Sequence, residues 1–289
     1  MANLPEDVIF RKILTGVPAK QLARFRCVCK SWNTRLSESS FITLHLVNSM
    51  TSIRKNGEIF MVFKNGFSFN DRKPFSLHHS RSPDLELQNF IKLPVNNLPF
   101  EHEHSSIIGS INGLICFSYG SSPDPLIHIW NPSLSASMTL PPYNISSNGY
   151  IGVCLFIRFG FDSKTDDYKV FKFTRVVKPS INGISLQGSA RFLEWFQVEV
   201  YSLKKGIWEL IPERVPPHVN WIEENEPFWV NGQDGYNGHL HWLCYVADGL
   251  KAKSILAFDL GDETFSEISP PQSVVGYNMD QRVSLTVLD

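Results

Sequence analysis

The sequence predicts an α+β chain, a small three-helix head over residues 1–46 followed by an all-β, propeller-like body. Three observations carry that expectation. Apolar residues recur at helical spacing only up to about Leu46, the text after Val47 turns into short aromatic and β-branched runs, and those runs come back in a repeated order. Composition agrees with a folded chain, because 43% hydrophobic against 19% charged residues leaves enough apolar surface for a core. The 27 Lys and Arg balance 28 Asp and Glu, which removes the basic footprint expected of a nucleic-acid binder.

The head justifies itself residue by residue. Val8, Ile9, Phe10, Ile13 and Leu14 follow helical spacing behind Pro5, Glu6 and Asp7, which suit a first turn facing the positive end of the helix dipole. Gly16 offers a left-handed cap and Pro18 follows it. From Ala19 the positions Leu22, Phe25, Val28, Cys29 and Trp32 repeat at three and four residues, with Lys20, Arg24, Arg26 and Lys30 on other faces. Ser31 is the expected cap of a third short helix carrying Trp32 and Leu36, and an apolar run restarts at Phe41. About forty residues without metal or disulfide bury too little to stand alone, so the head calls for a partner surface.

Residues 47–105 read as a connecting segment with the first strands, among them Ile59–Phe63, and residues 106–289 as the main β domain. Asn112-Gly113-Leu114 leads to Trp130-Asn131-Pro132 and then Pro141-Pro142; Asn237-Gly238-His239 leads to Phe258-Asp259 and then Pro270-Pro271. Each unit is expected to open on a tight Asn-Gly hairpin and to close before a double proline that stops pairing. Between them lie Phe159–Asp162 with Asp167–Val170, and Val198–Leu203 with Trp208, so four strand groups read as blades.

Catalytic chemistry finds little footing. No phosphate-cradling glycine motif and no nucleophile elbow occurs, and nothing calls for a cofactor. His78-His79, His102-Glu103-His104 and His239 with His241 lack carboxylate or cysteine partners at zinc spacing, so no metal is expected; alternation puts His239 and His241 on one strand face. The enzymatic alternative is a propeller-type glycoside hydrolase using loop carboxylates such as Asp166-Asp167, Glu223-Glu224 or Glu226. The five cysteines form no spaced framework, no run is long and apolar enough for a membrane helix, and no signal segment opens the chain; these point to reduced thiols, no membrane partner and a cytoplasmic protein, with the nucleus as a second compartment. Asn144-Ile145-Ser146 fits a glycosylation acceptor that should stay unmodified in that setting.

Leu4-Pro5-Glu6-Asp7, the isoleucine-leucine helix, Pro18 and the run Phe25-Arg26-Cys27-Val28-Cys29-Lys30-Ser31-Trp32 together resemble the plant version of the F-box. The resemblance implies binding to a Skp-family adaptor and, through it, to a cullin, in a ubiquitin ligase where this chain presents a target protein and catalyses nothing itself. The adaptor-facing set it implies is Leu4, Pro5, Ile9, Ile13, Leu14, Pro18, Leu22, Val28 and Cys29, with Phe25 and Trp32 holding the helices together. Thr15-Gly16-Val17 departs from the Leu-Arg-Leu of related plant sequences.

The series NGL, IHIWNPS, RFGFD, DYKV, VEVYSL with Trp208, and HLHWL with FDL is similar to the plant F-box-associated, kelch-like domain. Within it, IHIWNPS and VEVYSL are similar to S-locus F-box proteins, whose role in pollen recognition of stylar ribonucleases implies a secreted-type ribonuclease as target. The resemblance also implies further strands beyond Asp289, so the body is expected to be C-terminally incomplete, with the closure of its last blades weakened.

Overall fold

A computed structural model describes residues 5–56, 59–63, 75–79, 87–91, 105–119, 125–142, 151–177, 194–212, 219–222, 238–246 and 253–269. The chain forms two compact units, one of Met1–Ser105, Asn112–Leu114 and Trp130–Met138, the other of Ser106–Ile111, Ile115–Ile129 and Thr139–Asp289.

In the first unit, α1 (Glu6–Val8) runs straight into a π-turn over Ile9–Ile13 and a 3-10 turn over Leu14–Gly16. The expected left-handed glycine cap is absent, since Gly16 is not among the residues with positive φ. Val17 ends the helix instead, extended at φ −84° and ψ 135°, with its N–H on the Leu14 carbonyl at 3.1 Å. A following proline drives the residue before it out of the helical region, so Pro18 sets this end.

The break between the second and third helices, expected at Ser31, falls earlier. α2 (Ala19–Phe25) stops, Arg26–Val28 turn, and α3 (Lys30–Leu36) begins after Cys29. Cys29 is extended at φ −161° and its Sγ accepts the Trp32 N–H at 3.5 Å, which makes it the cap in place of Ser31. A fourth helix, α4 (Ser39–Asn56), runs on beyond residue 46. Phe41 is buried at its start and His45 Nε2 lies 2.9 Å from the Val17 carbonyl, so two side chains fasten α4 to the end of the first helical segment.

Phe10, Leu14, Leu22, Leu36 and Phe41 form the head's core, with Ile9, Val17, Phe25 and Trp32 packed against it. The rings meet edge-on, Phe10 with Trp32 at 5.6 Å, Phe10 with Phe41 at 6.3 Å and Phe25 with Trp32 at 5.9 Å between centroids. That geometry sets the positive ring edge against a negative face.

Among the described residues four sheets follow, each ordered as the chain runs. They are β1 (Ile59–Phe63), β2 (Phe75–His79) and β3 (Leu87–Ile91); β4 (Ser105–Ile111), β5 (Leu114–Tyr119), β6 (Leu126–Asn131) and β7 (Ala136–Thr139); β8 (Ile151–Asp162), β9 (Asp167–Val177), β10 (Glu194–Ser202) and β11 (Ile207–Ile211); and β12 (Val219–Ile222), β13 (His239–Val246), β14 (Lys253–Asp259) and β15 (Thr264–Ile268). Sequential four-stranded meanders are the blades of a propeller-like fold.

The two middle strand groups expected to be separate blades are one sheet. β9 pairs with β10 from Lys169↔Ser202 to Val177↔Glu194, because each group supplies a single hairpin and one hairpin is half a blade. Asn112 and Gly113 do make the expected tight turn, both with positive φ (49° and 79°). Gly238 also has positive φ, 78°, but its partner Asn237 lies outside the described residues; a Cβ at Gly238 would stand 3.6 Å from the Phe161 carbonyl.

In the second unit, alternation along β8–β11 splits its residues between two faces. Phe171, Phe173, Val198, Val200 and Ile211 pack against Leu240, Trp242, Leu256, Phe258 and Leu260 of β13, β14 and the turn after it. The other face carries the in-register pair Lys172 and Glu199, fully enclosed with Nζ and Oε2 3.5 Å apart. On the same face a Cβ at Gly109 would stand 3.8 Å from Phe159, while Trp208 Nε1 donates to the Pro141 carbonyl at 2.8 Å.

Candidate functional site

The head buries its aromatic core but leaves apolar atoms outside. Val28 is 63% and Ile13 49% exposed, and Pro5, Pro18 and Cys29 are exposed as well. Ile9 is half-buried. Leu14 and Leu22, expected on the outer face, are 4% and 7% exposed and belong to the core. Leu4 lies outside the described residues. Phe25 and Trp32 sit where a helix-holding role needs them, against the core and edge-on to each other.

Sequence reading missed the apolar exposure on α4, where Ile42, Leu44 and Val47 stand 53%, 39% and 55% exposed. The signal was present as an apolar run restarting at Phe41, but it was read as ending at residue 46. Lys20, Arg24, Arg26 and Lys30 are all exposed near the α2–α3 turn, so the outer surface there is apolar residues framed by positive charge. Such a surface suits a protein partner whose contact face is apolar at its centre and acidic at its rim.

The body's polar side chains are spent on a repeated turn. Four hairpins close through four residues, the last with positive φ, at Ser135 (53°), Asp166 (55°), Gly206 (73°) and Glu263 (56°). In each, the residue before the turn accepts backbone N–H groups inside it. Asn131 takes Leu134 N at 3.1 Å, Asp162 takes Lys164 N at 2.9 Å, Ser202 takes Lys205 N at 3.0 Å, and Asp259 takes both Gly261 N and Asp262 N, at 2.7 and 2.9 Å. Asx and Ser side chains fold a chain back in this way. The signal was legible as the recurrent aromatic-Asn and aromatic-Asp wording.

Two of these turns are clamped together. Lys164 bridges Asp259 at 3.1 Å and Asp262 at 2.6 Å, while buried Lys169 donates to the Leu260 carbonyl and to Glu263 and lies 3.6 Å from Asp162. Burial pushes the Asp162 carboxyl up, but the Thr165 hydroxyl, the Lys164 N–H and the Lys169 charge outweigh it and hold it below its ordinary value. Asp259 is held down likewise against its burial by the Asp262 N–H and Lys164.

Of the carboxylates raised for hydrolysis, one is engaged in the fold and one is exposed. Asp167 is buried, accepting from the Ser202 hydroxyl and the Lys204 N–H, and Asp166 is an exposed turn residue. Glu223, Glu224 and Glu226 lie outside the described residues, as do His102–His104, Asn144–Ser146 and the chain end at residues 284–289. The side chains of His78 and His79 are likewise outside them. His239 and His241 share a strand face as expected, ring centroids 6.3 Å apart, with His239 Nδ1 3.8 Å from Asp259. Among the described residues, no three His, Cys, Asp or Glu side chains cluster to hold a metal, and no helix is long and apolar enough to cross a membrane.

The chain is thus built in two parts, a helical head with exposed apolar residues and a body of sequential sheet meanders. Residues 1–43 match the F-box domain family and residues 59–286 the F-box associated β-propeller domain family, and the chain belongs to the plant F-box proteins that carry both. Among its relatives, F-box protein CPR1 of Arabidopsis thaliana is 28% identical over 302 residues, covering 100% of this chain and 65% of that protein. F-box protein At3g07870 of the same plant is 27% identical, over 94% of this chain and 61% of its own length. F-box/kelch-repeat protein At3g23880, also from Arabidopsis thaliana, is 22% identical, over 93% and 66%. The chain thus spans a little under two thirds of the length of these curated relatives.

Proposed function

We propose that this chain is the substrate-recognition subunit of an SCF-type cullin ubiquitin ligase. The F-box head binds a Skp-family adaptor, the adaptor links it to a cullin, and the β body holds a target protein. F-box proteins are in general substrate receptors rather than enzymes, and the contribution of such a subunit is proximity. Holding a target lysine near the charged conjugating enzyme raises its effective concentration without new chemistry.

The observation that carries this reading is the exposure of Ile13 and Val28, which stand outside the head's core of Phe10, Leu14, Leu22, Leu36 and Phe41. With Pro5, Pro18 and Cys29 they form the part of the adaptor set open to a partner; Ile9 backs it from a half-buried position, and Leu14 and Leu22 shape it from within. Exposed apolar groups at the centre of a patch release water on docking, and that drives association.

The finer target reading is a secreted-type ribonuclease, supported by the likeness of residues 127–133 and 198–203 to S-locus F-box proteins. Of those residues, Ile127, Ile129, Trp130, Val198, Val200 and Tyr201 are buried, so they shape blades and do not themselves touch a target. The proposed setting is the cytoplasm, with the nucleus as a second site. The test is affinity purification of the tagged full chain from plant cells. Recovery of a Skp-family adaptor and a cullin is expected, with the target enriched when the proteasome is inhibited. Recovery of neither adaptor nor cullin would sink the reading, and a target set without a ribonuclease would remove its finer part.

A further inference from the structure

We propose that the α2–α3 turn is a thiol-modification site, at which Cys27 and Cys29 take up an anionic disulfide of the glutathione type and thereby close the head to its adaptor. The inference rests on the adaptor reading given above. Both thiols are free and exposed, and they bracket Val28, the most exposed large apolar residue described. Cys116, by contrast, is fully enclosed, and burial pushes its thiol far above the ordinary range, which keeps it unreactive.

Charge selects the reagent. From Lys20 to Arg35 the chain carries Lys20, Arg24, Arg26, Lys30 and Arg35 and no acidic residue. Arg35 is paired with Asp7 at 3.5 Å, but Lys20, Arg24, Arg26 and Lys30 are exposed, and a turn flanked by four such cations concentrates anionic molecules at its surface and repels cationic ones, within about a Debye length. Glutathione disulfide, which carries net negative charge, is therefore the class of substrate it takes.

The chemistry balances without a further oxidant. A cysteine thiolate attacks one sulfur of the disulfide, the protein–sulfur bond forms as the reagent's S–S bond breaks, and the departing thiolate takes the proton the cysteine gave up. Two consequences follow. A charged tripeptide beside Val28 puts bulk and carboxylates on an exposed apolar residue of the proposed adaptor face, where docking would have to strip their water. At Cys29 the same reaction crowds the sulfur that accepts the Trp32 N–H, so the cap of α3 is weakened as well.

The test uses the full chain, a Skp-family adaptor and three measurements. The reduced chain should bind adaptor. Treatment with glutathione disulfide should place glutathione on Cys27 and Cys29, located by peptide mass mapping, weaken binding by at least ~10-fold, and be reversed by dithiothreitol. Saturating adaptor should protect both thiols, and cationic cystamine should react several-fold more slowly at low salt, a gap that narrows at high salt. No binding by the reduced chain would overturn the adaptor reading and this inference with it. Binding that survives with glutathione mapped to both thiols, or a loss of binding with glutathione mapped only elsewhere, would overturn this inference alone. Failure of the two thiols to react, or equal rates with cystamine, would overturn it too.

Discussion

Trp32 meets Phe10 edge-on, with ring centroids 5.6 Å and planes 65° apart, and this contact ties α3 to the first helical segment of the head. Trp32 also stands edge-on to Phe25 of α2 at 5.9 Å, so one half-buried side chain braces three helical segments. Truncating it removes both ring contacts at once. Trp32→Ala should cost the head about 3 kcal/mol, the low end of the range for a large aromatic because the ring is partly exposed. Thermal unfolding followed by circular dichroism at the helix band checks this, and an unshifted helical transition would contradict it.

Lys169 is the buried tie between two turns, donating to the Leu260 carbonyl and to Glu263 beside Asp162. Replacing it with methionine keeps the stem and removes the charge, leaving Asp162 enclosed without its cation. Lys169→Met should destabilise the body by about 3 kcal/mol, as loss of one member of a buried ion pair does. A lower urea midpoint with an unchanged slope is the expected result.

The acids of that clamp give the body a pH dependence. Asp162 and Asp259 have folded pKa values below the ordinary carboxylate value of 3.8, so their stabilising contribution is complete above that value and is lost as pH falls through the lower folded values. His128 acts in a higher window. Its ring is 3% exposed, stacked on Phe117, with Nδ1 2.9 Å from the Thr139 hydroxyl, and burial lowers its pKa from 6.5. The folded chain therefore resists the proton that the unfolded chain accepts, and stability falls as pH drops below about 6.5. His128→Phe should flatten that part of the curve while leaving the acid limb below pH 4, which unfolding midpoints measured from pH 7 to 3 resolve.

The repeated turn predicts opposite signs at equivalent positions. Gly206 has φ 73° and open space where a Cβ would go, so Gly206→Ala pays only the left-handed backbone cost of about 1 kcal/mol. Ser135 already pays a cost of this kind at φ 53°, and Ser135→Gly should relieve it, leaving stability unchanged or raised by under ~1 kcal/mol. Paired melts of the two variants give the comparison; a stabilised Gly206→Ala would break the equivalence of the turns.

Much of this was legible in the residues, and the losses have physical causes. The head was readable because Phe10, Leu14, Leu22 and Leu36 keep helical spacing, and the blades because strands and Asx turns recur. Spacing alone cannot say which apolar residues point inward once four helical segments share one core; Leu14 and Leu22, which the resemblance puts in the adaptor-facing set, lie in that core. The break after Phe25 escaped notice because Val28 and Cys29 continue the helical period while the chain has already turned. The merging of two strand groups into one sheet is a pairing between residues about thirty apart, such as Val170 with Tyr201, and no local pattern reports it. The tie that Lys169 makes gave no local signal either, since Leu260 and Glu263 lie more than ninety positions along the chain.

The account turns on the open apolar patch of the head. Val28 and Ile13 are exposed and lie outside the core, so charges placed there should leave the fold intact while spoiling an apolar interface. The most direct measurement is the affinity of the full chain for a Skp-family adaptor, taken for the native sequence and for the Ile13→Glu, Val28→Glu double variant with its melting temperature recorded alongside. Tight binding by the native chain, weakened at least ~100-fold in a variant that melts at the same temperature, is the predicted result. Undiminished binding by the doubly charged variant, or none by the native chain, would contradict the assignment of this face.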